Sequence, residues 1–224
     1  MSKLQVTQDT PLTPVELTKS LYEGYFRKEN EYPSDQSLAV LWAHTSLETA
    51  RGKKIRNYNF GNIKNSNGIR FPQYDYCMYE AGEFINGEHK MFYPPHPQTH
   101  FASFPSKEEG AEAYIKFFSE QDRYIESWEM LKGGDPVKFS VALKKGGYYT
   151  APVAPYTQVI VKLTKEFLSK PELIAWKPEP DVLLPDIVNW KPQEIKLAVH
   201  KNWFQLMLGS FKFIFNFISK LWKK

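Results

Sequence analysis

Between residues 14 and 169 helix-period patterning is interrupted once, from Asn65 to Phe104, by short runs of Tyr, Phe and Ile broken at Gly, Pro and Asn. No other feature limits the fold as much. On either side, apolar residues recur at three- and four-residue spacing, as in helices buried by one face. Inside the interruption, Glu83-Phe84-Ile85-Asn86-Gly87-Glu88-His89-Lys90 carries the Asn-Gly pair of a tight hairpin turn. The expected fold is therefore α+β and mainly helical, with a small β-hairpin lobe between the second and third helices.

Local signals place the elements. Residues 1–13 are polar and punctuated by Thr and Pro, and read as an N-terminal arm. Thr13-Pro14-Val15-Glu16 has Pro at the first helical position and an acid in the first turn, so a helix should run to about Glu29. Ser34 is placed to cap a second helix, and Gly52 to stop it. Ser106-Lys107-Glu108-Glu109 has the pattern of a capping box opening a third, and further helices are expected near 122–131, 135–144 and 153–169. The body is thus assigned to residues 14–169. From 170 to 194 five prolines make an extended strap, in which Trp176-Lys177-Pro178 recurs as Trp190-Lys191-Pro192. The two tryptophans should pin that strap to the body.

At 224 residues the chain can bury one good core. Cys77 is the single cysteine, so no intramolecular disulfide contributes. The net charge of +4 owes much to Lys201, Lys212, Lys220, Lys223 and Lys224 near the C-terminus. The body lacks a basic patch interleaved with aromatics, so nucleic acid is not an expected partner.

The second helix ends on one glutamate. Leu38, Leu41, Thr45 and Glu48 share a face, so Glu48 continues the inward stripe. A carboxyl at the buried edge of a helix end is desolvated and keeps its proton near neutral pH, as a general acid for glycoside cleavage requires. The competing reading is a solvated Glu48 paired with Arg51 or Lys53. His44, four residues earlier, is placed either to touch that carboxyl or to sit at the core edge. His96 and His100 have metal-ligand spacing, but Pro94, Pro95 and Pro97 exclude the helix that would align them; they read as turn residues. No metal or cofactor is expected.

The run Ser46-Leu47-Glu48-Thr49, Gly52-Lys53 and Asn57 through Lys64 resembles the active-site segment of glucosaminidase-type peptidoglycan hydrolases of the lysozyme-like superfamily. His100 through Glu109 resembles the family's run into its next helix, and Gly146-Gly147-Tyr148-Tyr149-Thr150-Ala151-Pro152 with Tyr156 its cleft-lining segment. The likeness spans roughly residues 17 to 168. It implies a lysozyme-like domain that cuts peptidoglycan glycan strands, with Glu48 as catalytic acid. Glu83 is the candidate base before the Asn-Gly turn, with Glu80, Glu88 and Asp75 as competitors, and Tyr148 an orienting catalytic residue. Asn59, Phe60, Tyr149 and Tyr156 are the implied sugar-binding residues. Ala151 stands where the family usually has aspartate, so a carboxylate role there is absent. Muramidase or lytic transglycosylase chemistry on the same fold, or an inactive wall-binding module, are the alternatives.

Residues 203–222 project as a basic amphipathic helix with aromatic ends, assigned within a C-terminal helix spanning 195–224. That composition suits a membrane interface or a partner chain, a virion protein among them. Lys212 near its middle makes a lone crossing costly, by about 2.5–3.5 kcal/mol. The N-terminal stretch has no apolar signal-peptide core. Synthesis in the cytoplasm and delivery to the periplasm or cell wall, carried in a bacteriophage particle or released at lysis, is the expectation.

Overall fold

A computed structural model describes residues 2–85 and 88–177. The expected C-terminal helix, most of the strap with Trp190, and the Asn86-Gly87 pair lie outside the described residues. Six helices carry the body: α1 (Pro14–Glu29), α2 (Asp35–Thr49), α3 (Lys107–Ser119), α4 (Ile125–Lys132), α5 (Pro136–Lys145) and α6 (Val153–Leu168). Between α2 and α3 run the strands β1 (Asp75–Met78), β2 (Ala81–Ile85), β3 (Glu88–Phe92) and β4 (His100–Ser103).

Side-chain caps explain where the helices begin. At α1, Thr13 accepts from the Glu16 amide while Glu16 reaches back to the Thr13 amide, a complete capping box. Ser34, Ser106 and Asp135 accept from first-turn amides of α2, α3 and α5 in the same way. α2 stops sooner than its glycine suggests. Ala50 and Arg51 already turn left-handed, at φ 50° and 59°, before Gly52 follows at φ 84°. A Cβ on Gly52 would lie 2.5 Å from the Leu12 carbonyl oxygen, so glycine there lets the N-terminal arm approach rather than ending the helix.

The inward stripe expected on α2 is too narrow a description. Every residue from Ser37 to Ser46 is buried, so α2 is the central helix, covered all round. It lies along α6, with α1 and α4 also against it, while α1 pairs with α3. Trp42 packs on Phe167 of α6 with ring centroids 5.6 Å apart. The α1–α3 crossing is close because Gly24 has no side chain; a Cβ there would meet Ala111 at 2.9 Å.

The strands form two nested antiparallel pairs. β1 pairs with β4, Asp75 facing Ser103 and Met78 facing His100. Out of that pair grows the hairpin of β2 and β3, with Ala81 opposite Phe92 and Ile85 opposite Glu88. The arm does not hang off the body. It bridges Tyr76 through Leu4 and Arg56 through Asp9. Lys3, Gln5 and Thr7 bond along residues 75–78, and Gln8 and Thr10 bond to Asn57 and Ile55.

The body also continues past residue 169, as far as Trp176. Pro171–Leu173 forms a short 3-10 turn with Leu173 buried, and the Trp176 ring stands edge-on to Tyr22 at 5.2 Å. The first part of the expected strap is therefore body. Trp176 pins it, as proposed for that residue. Among the described residues no helix is long and apolar enough to cross a membrane.

Candidate active site

Glu48 sits in the last turn of α2, its side chain one-fifth exposed (20 %) just beyond the stretch from Ser37 to Ser46 that is buried throughout. Two effects oppose its ionisation. Burial removes water from the carboxylate, and the negative end of the helix dipole lies beside it. Burial is the larger cause of a pKa raised to about 7; hydrogen bonds from Asn62 and Tyr156 pull it down and the charge of Glu83 pushes it up. At neutral pH a large fraction of this carboxyl is therefore protonated.

Three neighbours shape the group. Tyr156, on the first turn of α6, donates to Glu48 Oε1 at 3.3 Å. The Asn62 amide donates to the Glu48 backbone carbonyl at 2.9 Å, satisfying an acceptor that the helix end leaves open. His44 Nε2 lies 3.8 Å from Oε1. Asn62 is itself held by the Tyr79 hydroxyl at 3.1 Å, and Tyr79 stacks on Phe101 at 3.9 Å.

Aromatic residues bound the carboxyl on the α6 side. Tyr149 and Tyr156 stack at 3.7 Å and 9°. Tyr148 lies close enough to Glu48 to have its phenol pKa raised by that charge, after burial. On the β-lobe side stands Glu83 of β2, ion-paired with Lys64 at 3.0 Å. Lys64 also donates to the Gln98 carbonyl and lies over the Phe101 ring.

Residues 25–169 match the family model described as Glucosaminidase: mannosyl-glycoprotein endo-beta-N-acetylglucosaminidase. The chain belongs to the glucosaminidase family. It is thus a glycoside hydrolase by family. The fold is similar to that of a solved structure titled as a peptidoglycan hydrolase mutant from Sphingomonas sp. A1. The TM-score is 0.52 at 20% identity, covering 69% of this chain and 98% of the other. That likeness carries the lysozyme-like fold. A comparison with curated protein sequences finds no match.

In this glucosaminidase-family chain the structure gathers Glu48, Tyr148, Tyr149 and Tyr156 into one site, with Glu83 near enough for its charge to act on Glu48. Asn59 and Phe60 are corrected. Both are fully buried (0 % exposed), so neither meets a sugar. Asn59 knots its loop, donating to the Ile63 and Ala102 carbonyls at 3.0 Å and accepting from the Ile63 amide at 2.8 Å. Phe60 belongs to the core cluster. Their neighbour Asn62 is the loop residue that reaches Glu48. The Tyr148 hydroxyl proton is committed to the Gly61 carbonyl at 2.7 Å, so this tyrosine fixes the loop beside the acid.

Glu48 is not the ion-pair partner of Arg51, which binds Glu166 of α6 instead. His96 caps the short turn Pro97–Thr99, and His100 accepts from the Asn67 amide, both as structural residues. Among the described residues no group of three His, Cys, Asp or Glu side chains is placed to hold a metal. Tyr79, Asn62 and Tyr114 were not anticipated at the site. Only Asn62 had a signal, its place in the Asn57–Lys64 run.

Proposed function

We propose that this protein hydrolyses the glycan strands of bacterial peptidoglycan, at the β-1,4 bond on the reducing side of N-acetylglucosamine. Glu48 is the general acid. What carries the reading is its carboxyl: part-protonated at neutral pH, reachable from solvent, and flanked by tyrosines on one side and the β-lobe on the other. Family membership and the name of the fold neighbour support the substrate class. Glu48 gives its proton to the glycosidic oxygen as the bond breaks, and the departing sugar leaves as an alcohol. Stacked Tyr149 and Tyr156 offer an aromatic wall for sugar rings.

Two routes complete the reaction. In one, the Glu83 carboxylate activates water on the opposite face of the sugar. In the other, the substrate's 2-acetamido group attacks and water opens the intermediate. The anomer first released separates them: inversion for the Glu83 route, retention for the acetamido route.

Mass spectrometry of purified cell walls digested with the full chain tests the proposal. Reducing N-acetylglucosamine ends are expected. Reducing muramic acid ends would make it a muramidase, anhydromuramic ends a transglycosylase, and an absence of fragments would overturn hydrolysis altogether. For delivery, we propose a phage particle as carrier and the basic C-terminal segment as an anchor at an anionic membrane, on sequence grounds.

A further inference from the structure

His44 is fully buried, in the middle of the core, and no step above uses it. Its ring is wedged edge-on against Phe118, Phe139 and Tyr148, with centroids 4.8 to 5.5 Å away. Burial holds it neutral, its pKa pushed down to about 3. A neutral imidazole has one N–H and one bare nitrogen, and a partner decides which is which.

That partner is Tyr114 of α3, whose hydroxyl lies 2.6 Å from Nδ1. A phenol is a better donor than a neutral imidazole, and an imidazole nitrogen a better acceptor than a phenol oxygen. Burial raises the Tyr114 pKa, so the phenol keeps its proton. Tyr114 therefore donates to Nδ1, and the ring proton sits on Nε2. Nε2 has no hydrogen-bond partner. It faces Glu48 Oε1 at 3.8 Å, the oxygen that already accepts from Tyr156.

We propose that His44, its tautomer fixed by Tyr114, is a positioning residue that assigns the acid proton of Glu48 to Oε2. The inference rests on Glu48 being the acid. With the Nε2 side of His44 and the Tyr156 hydroxyl both at Oε1, the carboxyl hydrogen belongs on the other oxygen. As that proton passes to the leaving sugar oxygen, the new negative charge is met by two donors. The 3.8 Å separation closes to a hydrogen bond in that state, because a carboxylate attracts an N–H more strongly than a carboxylic acid does.

The titratable and charged groups around Glu48 are Tyr156 from α6, Tyr148 from the segment before it, and Tyr114 from α3. Tyr79 faces it from between β1 and β2, and Glu83 from β2 with Lys64 as its counter-ion. The pH-profile variants alter only His44 and Tyr114, and leave the other groups in place.

The test compares pH profiles of kcat/KM for the full chain on soluble cell-wall fragments. A donor at Oε1 favours the carboxylate, so its loss raises the pKa of Glu48. His44→Leu is expected to move the high-pH limb upward by about one pH unit. Its kcat should fall about ten-fold with KM nearly unchanged. Tyr114→Phe should shift the limb in the same direction. His44→Gln, whose amide N–H reaches the same oxygen, should return the limb to its wild-type place. An unmoved limb in His44→Leu overturns the proposal while leaving Glu48 as the acid; full activity in Glu48→Gln overturns the acid itself. Nitrogen-15 NMR of the wild-type chain gives a reading that does not depend on activity. The His44 ring, assigned by its absence from His44→Leu, should be neutral at about pH 5 and carry its proton on Nε2. A proton on Nδ1 overturns the proposal.

Discussion

A carboxyl buried at the C-terminal end of a helix is opposed twice when it ionises, by lost hydration and by the helix dipole. For Glu48 both act, and the consequences are measurable in catalysis and in stability. Activity should fall as pH rises through about 7, where the acid form disappears. Glu48→Gln should lower turnover by about a hundred-fold or more without unfolding the chain. For stability the sign follows from proton counting. Between the unfolded value near 4.5 and the folded value near 7, the native state binds the extra proton, so this group's contribution declines as pH rises through that window. Glu48→Gln should thus stabilise the fold at pH 8 relative to wild type, by at most about 3 kcal/mol and with a higher melting temperature, and leave stability unchanged near pH 4. An equal shift at both pH values would refute the burial argument. Glu48 was legible through the likeness of its segment to the family's active-site run; helix spacing alone left a solvated, paired glutamate open, and α2 is buried on all sides rather than along one stripe. The roles of Asn59 and Phe60 were not legible. They lie in a loop where Asn57, Tyr58 and Asn62 all adopt left-handed backbone angles, and no periodic rule assigns a direction there.

Elements were easier to read than residues, since their ends are written in local chemistry: Thr13, Ser34 and Ser106 each announced a helix. What local chemistry did not announce is how the end of α2 is held. Arg51 takes a left-handed backbone and forms a bidentate pair with Glu166, at 3.0 and 2.6 Å, so that α6 clamps the turn carrying Glu48. The Arg51 guanidinium, with Lys170 second, holds the Glu166 carboxyl down to about 2. Its contribution is present above about pH 4.5 and is lost as pH falls toward 2. Arg51 is 43% exposed, so Arg51→Ala should cost only about 1 kcal/mol in denaturant melts near neutrality, and less still near pH 2. Gly61 is the second tight point. A Cβ there would meet the Tyr114 ring at 2.9 Å and the Tyr148 hydroxyl at 3.2 Å. Gly61→Ala should cost about 1–3 kcal/mol and reduce kcat, because it displaces two tyrosines that surround the acid. Tyr114 and Tyr79 could not be found from sequence, since what places them is contact across the fold, with no spacing rule behind it.

For the molecule as a whole, the sequence showed one helical body around a hairpin lobe, but left the arm and the tail as appendages. The tail is where a prediction remains open to direct test. Truncation after Glu194 should leave cleavage of soluble wall fragments nearly unchanged and abolish co-sedimentation with anionic liposomes at low salt. Indifference of the full chain to such liposomes would make the segment a packing element. The arm is another matter, because Lys3, Gln5 and Thr7 find their partners 70 to 72 residues further along the chain. On a ribosome, the arm therefore emerges well before the strand it must lie against has been made. It waits while α1 and α2 take shape from local contacts, and docks only after β1 has appeared. Long-range closure of this kind is slow relative to helix formation. In refolding, fluorescence or exchange probes in β1 should lag those in α2. The loop that positions Asn62 beside the acid is then completed late, and catalytic competence arrives after the helical core rather than with it.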